Sequence, residues 1–233
     1  MTTNRPPIRF PGETPEYRAA RDSLLEAERD LRRRIELVAV LRRALPVGGE
    51  VREDYVFHTA LTGDSDAPQP VRLSQLFASG QDTLILYSFM YGPEMKQACT
   101  SCTSILDALD GETPHVSNRV SFAVVAKSPP ARLRAFARER GWRHLRLLSS
   151  AENSYNADYH AQNPEGAQLP ALNVFVRRNG RIHHFYNTEL LYAPTEPGQN
   201  GRHVDLIWPL WNLFDLTPEG RGTDWYPALS YPT

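Results

Sequence analysis

Residues 83–110 read TLILYSFMYGPEMKQACTSCTSILDALD, and the order of residue types in them decides the fold. Apolar and aromatic side chains run from Leu84 to Met90, the length of a buried strand. Tyr91-Gly92-Pro93 breaks that run. Cys99-Thr100-Ser101-Cys102 follows, and then Ile105, Leu106 and Leu109 recur at helical spacing. Strand, turn, two cysteines, helix: this order puts a pair of thiols at the amino end of a helix. Unpaired backbone N–H groups and roughly half a positive charge collect there. They favour a thiolate and bring a thiol pKa down from about 8.5 toward neutrality. One helical turn also brings such a pair within reach of a disulfide. The chain has 2 cysteines, and both lie in this turn. The alternatives are an inert buried pair or part of a structural zinc site, which normally takes four ligands. Redox chemistry is the primary reading.

Working outward, the bulk composition excludes several partners. The 233-residue chain is long enough to bury a sizeable core. It carries 26 basic and 27 acidic residues, a net charge of -1, so no nucleic acid partner is expected. The opening MTTNRPPIRF has no apolar core of a signal peptide. No apolar run approaches the roughly 20 residues that span a bilayer, so no membrane partner is expected. The expected location is cytoplasmic. In that compartment a C-x-x-C is usually catalytic or metal-binding, seldom a structural staple.

Upstream, residues 1–13 read as a polar, Pro-rich arm. Thr14-Pro15-Glu16 starts a helix, with Thr as N-cap and Pro at the first helical position. The helix runs to about Leu45 and is closed by Pro46 and Gly48-Gly49. Its stripe of Leu24, Leu31, Val38 and Leu45 packs either on its own domain or on a second copy, giving a homodimer through the N-terminal helix. A strand over Glu53–His58, a turn over Thr62–Gln69 and the segment Val71–Phe77, with Ser74 as an N-cap, come next.

Downstream, Arg119–Ala126 reads as a buried strand, and Pro129–Arg140 as an amphipathic helix stopped by Gly141. Leu145–Leu148 is a short strand. The irregular, aromatic stretch Ser149–Ala167 is a candidate lid or binding loop, with Tyr155 and Asn156 as substrate contacts. Leu169–Val176 and Arg181–Tyr186 form a hairpin around Asn179-Gly180. Asp205–Leu213 looks helical but is interrupted by Pro209. The tail from Thr217, with Trp225, Tyr226 and Tyr231, is read as packed on the body. Three parts are expected: arm and helix (1–46), main domain (47–216) and tail (217–233). The order of elements implies an α/β sandwich with a mixed central sheet.

That order, with C-x-x-C after the central strand and Leu169-Pro170-Ala171-Leu172-Asn173-Val174-Phe175 before the hairpin, resembles the thioredoxin fold. VRLSQLF and TLILYSFMYGP resemble the peroxiredoxin-like branch, the alkyl hydroperoxide reductases and thiol-specific antioxidants. The helix Thr14–Leu45, EDYVF, FMYGPEMKQACTSC, SSAENSYNADY and DLTPEGRG together resemble an uncharacterised bacterial family of thioredoxin-like proteins. The resemblance implies a thioredoxin-like sandwich carrying an added long N-terminal helix and a C-terminal extension. It also implies a cis-proline at Pro170 beside the thiols, helping to hold extended substrates. The peroxiredoxin pattern Pro-x-x-x-Thr-x-x-Cys is not met, because Lys96 stands three residues before Cys99.

Three functions follow as expectations. The first is thiol–disulfide exchange with a protein or small-molecule substrate. Cys99 would attack, Cys102 resolve and Pro170 shape the docking edge, with Tyr91 and Lys96 beside the thiolate. It needs no cofactor beyond the redox-active disulfide; a peroxidase variant would oxidise Cys99 to a sulfenic acid captured by Cys102. The second is a copper(I) or zinc module using Cys99, Cys102 and either His183 or His184, with His160 as a further candidate. The third is a non-catalytic binding protein.

Overall fold

The computed structural model describes residues 8–60, 67–191, 193–195, 197, 207–222 and 224–232. It comprises two compact units that divide after Pro46. The first is built on α1 (Pro15–Arg43), whose start is as the sequence dictates. The Tyr17 N–H donates to Thr14 Oγ1 at 3.2 Å, and Pro15 occupies the position where a missing N–H costs nothing. Arg18 bridges Glu13 at 3.4 Å and Asp22 at 3.1 Å. No residue of α1 is buried.

The second unit is organised on one mixed sheet, which has 7 strands among the described residues. They are β1 (Val56–Thr59), β2 (Pro70–Arg72), β3 (Thr83–Ser88), β4 (Ser121–Ala126), β5 (Leu147–Ser149), β6 (Ala171–Arg178) and β7 (Arg181–Asn187). Their spatial order is β2-β1-β5-β4-β3-β6-β7. β3, β4 and β5 are parallel and are joined by α2 (Thr100–Ser117) and α3 (Pro130–Arg140). The strands step across the sheet in one direction, so right-handed crossovers put both helices on one face. The period of two then sorts the side chains. Ile85, Tyr87 and Phe89 pack among Ile105, Leu106, Leu133 and Phe136 on the helix side. Leu84 and Leu86 face the other way, toward Phe57, Leu73, Leu76, Tyr155 and Phe175. The hairpin β6–β7 adds antiparallel to the free side of β3. This is the thioredoxin-like arrangement that the resemblance implied.

Local chemistry explains where elements begin and end. Asn179 (φ 52°) and Gly180 (φ 77°) take the left-handed conformations that a two-residue hairpin turn requires. Ser74 does not cap a helix; it lies inside a 3-10 turn, Leu73–Leu76. The Asp54 carboxylate caps instead, accepting the Ser74 N–H at 2.8 Å and its hydroxyl at 2.7 Å. Pro209 does not interrupt the late helix but begins it, as the first residue of α5 (Pro209–Phe214). Residues 205–206 of that expected helix, and 62–66 of the expected turn, lie outside the described residues. Trp225 packs edge-on against Phe214 at 5.2 Å and Trp211 at 5.9 Å, tying the tail to α5. The stretch 149–167 contains α4 (Tyr155–Asp158), and Tyr155 and Ala161 are completely buried in the body. The expected lid is thus anchored by its own aromatics.

Candidate functional site

At the end of β3 the chain turns through Met90–Ala98 and enters α2 at Cys99. The Cys99 N–H donates to the Met90 carbonyl at 3.1 Å, which fixes the distance between strand end and helix start. Arg132, reaching over from α3, fans its guanidinium across the loop. It donates to the carbonyls of Gly92 (3.0 Å), Pro93 (3.1 Å) and Met95, and stacks over the Tyr91 ring at 4.2 Å. Gly92 is required by close approach: a Cβ there would stand 2.9 Å from Cγ of the buried Gln168. The loop is therefore held from two sides.

Cys99 itself is the N-cap of α2. Its Sγ accepts the Cys102 N–H at 3.3 Å, the place a serine or aspartate oxygen commonly takes. Its carbonyl accepts the Thr103 N–H (2.9 Å) and hydroxyl (2.8 Å), which locks the first turn. The two cysteines are free thiols, with Cys99 partly exposed and Cys102 buried.

The pair is electrostatically unequal. The Cys102 S–H donating to Cys99 is the largest influence on the Cys99 thiol. Burial opposes it, and the Cys102 and Ser101 N–H groups reinforce it, so the thiol is held down to about 6. Cys102 is pushed well above the ordinary thiol value, first by giving its hydrogen to Cys99 and then by burial. Tyr87 and the Met90 amide pull it the other way.

The other expected site residues divide. Register pairs Ser88 with Ala171, which brings Pro170 beside the segment leading from β3 to the thiols. Its peptide bond is trans, since no cis bond occurs among the described residues, so the expected cis-proline is corrected. Tyr91 is buried against Phe89 and Phe136 beneath Arg132, a packing position rather than a thiolate contact. Lys96 is exposed on the loop. Tyr155 and Asn156 are not surface contacts. Asn156 bonds to Ser150 Oγ and Gln168 Oε1, and Tyr155 lies in the core on the opposite face of the sheet.

The histidines do not join the cysteines. His184 Nε2 donates to Asn173 Oδ1 at 3.0 Å, and the ring packs on Phe175 and Tyr159, on the face away from the thiols. Burial is the main cause holding its ring below the ordinary histidine value. His183 lies 3.3 Å from the Gly48 carbonyl. His160 and His184 line a cavity of about 700 Å³, together with Tyr55, Tyr159 and Asn173. Among the described residues no group of three or more His, Cys, Asp or Glu is placed to hold a metal ion. The expected set of Cys99, Cys102 and a histidine is therefore not brought together among the described residues.

Sequence reading missed Tyr87 and Arg132. Tyr87 carried a signal: a phenol in a strand whose same-face neighbours, Ile85 and Phe89, are apolar. Arg132 carried none, because one arginine near a helix start looks like any solvated residue.

Fold and site together define a thioredoxin-like protein with two free thiols at a helix N-terminus. The chain belongs to the family described as "Bacterial protein of unknown function (DUF899)", which matches residues 7–231. Among solved structures it is similar to peroxidoxin BcpB from Mycobacterium tuberculosis, at 16% identity and TM-score 0.45, over 70% of this chain and 94% of that one. It is also similar to the reduced 2-Cys peroxiredoxin of Plasmodium vivax, at 20% identity and TM-score 0.45, over 69% and 95%. A third is BsSco, of the Sco family of cytochrome c oxidase assembly proteins, at 14% identity and TM-score 0.41, over 71% and 94%. No curated protein sequence matches the chain. No helix among the described residues is long and apolar enough to cross a membrane.

Proposed function

We propose that the protein is a thiol–disulfide oxidoreductase working through Cys99 and Cys102. The observation that carries this reading is the inequality of the pair: a reachable sulfur that caps a helix, with its partner buried one turn deeper. The Cys99 thiolate attacks one sulfur of a substrate disulfide. A Cys99–substrate bond forms, and the other substrate sulfur leaves with the electron pair of the broken S–S bond. Cys102 then attacks Cys99 Sγ, the protein disulfide closes, and the second substrate sulfur departs as a thiol. Two electrons pass from the dithiol to the substrate. Run backward, the same steps oxidise a substrate dithiol. Pro170 lines the docking edge.

A low Cys99 pKa keeps the nucleophile charged at neutral pH, whereas a high Cys102 pKa holds the resolving sulfur in reserve. The departure at Lys96, where peroxiredoxins carry Thr or Ser, weighs against peroxide as the primary substrate. The test uses an aromatic disulfide such as DTNB with mass spectrometry. Wild type should end with an internal Cys99–Cys102 disulfide, Cys102→Ser should stop as a mixed disulfide at Cys99, and Cys99→Ser should not react. A Cys99→Ser protein as reactive as wild type would overturn the reading.

A further inference from the structure

The resolving step poses a physical problem. Cys102 is buried at 2% exposure and must attack as a thiolate, yet burial disfavours charge. Its partner in the resting state is no help: once Cys99 is tied into a mixed disulfide, its sulfur is a poor acceptor for the Cys102 S–H. Something else has to receive the charge.

Two donors stand where that charge would form. Tyr87, on β3, is completely buried on the helix side of the sheet, in the same apolar cluster as Cys102, Phe89 and Ala98. Its hydroxyl makes no hydrogen bond of normal geometry in the reduced protein, and the group it acts on is the Cys102 sulfur. Nearly all buried polar atoms find good partners, so a phenol left facing a weakly accepting thiol calls for an explanation. The second donor is the Met90 amide, which acts on the Cys102 sulfur while the Met90 carbonyl accepts the Cys99 N–H.

Resting on the exchange reading above, we propose that the Tyr87 hydroxyl and the Met90 N–H form a thiolate pocket for Cys102, engaged when the mixed disulfide is resolved. It acts as an oxyanion hole does: donors are placed in advance where charge develops. Cys99 and Tyr87 are the titratable side chains that act on Cys102. Tyr87 is a donor and not a base, because burial and the neighbouring sulfur push its own ionisation well above the ordinary phenol range. In the step, the Cys102 Sγ–Cys99 Sγ bond forms and the Cys99 Sγ–substrate bond breaks. The leaving sulfur takes the electron pair and the proton that Cys102 gave up; Tyr87 keeps its proton throughout. In the reverse direction the same donors stabilise Cys102 as the leaving thiolate.

Stopped-flow reaction with DTNB separates the two steps, since each releases a thionitrobenzoate. For Tyr87→Phe the first release, which reports attack by Cys99, should match wild type across pH. The second release should slow by about tenfold or more near neutral pH, as expected for losing a hydrogen bond to a charged group. It should rejoin wild type at high pH, where Cys102 ionises unaided. Incorporating 3-fluorotyrosine at position 87, a stronger donor, should change the second rate in the opposite direction. Equal second-phase rates in wild type and Tyr87→Phe at every pH would overturn the pocket alone. Absence of a second phase in wild type would overturn the exchange reading and the pocket with it. Equal slowing of both phases would mark Tyr87 as structural and also overturn the pocket.

Discussion

Cys99 does at its helix start what an oxygen side chain usually does, and the sulfur's charge is stabilised by the N–H groups it caps. That much was legible, because C-x-x-C followed by a helical repeat admits few geometries. Tyr87 and Arg132 were not legible, since both act through space on residues distant in the chain. Each supports a prediction. The Tyr87 hydroxyl, buried without a hydrogen bond of normal geometry and facing only a weakly accepting thiol, is a burden in the resting fold, so Tyr87→Phe should raise stability by about 1 kcal/mol. Urea denaturation of the reduced protein checks this, and a loss of that size would mean the hydroxyl is bonded. Arg132→Met keeps the aliphatic stem but removes the donors to Gly92, Pro93 and Met95. It should cost about 2 kcal/mol in the same measurement, because carbonyls that faced a cation lose it. Tyr155 and Asn156 carry the opposite lesson. Aromatic and amide residues in an irregular stretch suggested a surface that binds, and burial turned them into struts.

Helices and strands were readable where the hydrophobic period was long and the ends were marked. The N-cap at Thr14, the left-handed Gly141 (φ 74°) after α3 and the Asn179-Gly180 turn all fall where residue chemistry requires. What escaped was long-range bonding between elements. Asp110 on α2 accepts the N–H groups of Arg143 (3.0 Å), His144 (2.8 Å) and Leu145 (3.0 Å), fastening the connection between α3 and β5. Asp110→Ala should therefore cost about 2–3 kcal/mol, far more than an exposed helical acid, and calorimetry will register it. Gly48 is another case. The sequence offers it as a helix stop, but its amide donates to the His184 carbonyl at 3.0 Å, covering the edge of β7. A Cβ there would meet that oxygen at 2.6 Å, so Gly48→Ala should loosen this edge and speed amide exchange in β7.

At the scale of the molecule, the parallel β3–β5 unit and the antiparallel hairpin set the thiols at one end of the sheet, on the helix side. Fold class was legible because the order of elements and right-handed crossovers leave few arrangements. Which histidines share a face with the thiols was not, because that depends on the bulge between Val174 and Phe175 and on how β7 is covered. The proposed exchange chemistry turns on the ionisation of Cys99. The most direct test is the rate of Cys99 alkylation by iodoacetamide against pH, in wild type and in Cys102→Ala. For wild type the rate should rise with pH to a plateau, with a midpoint at about 6. In Cys102→Ala the midpoint should move upward, because its largest stabilising donor is gone. A wild-type midpoint near the ordinary thiol value of about 8.5, unmoved by the substitution, would contradict the account.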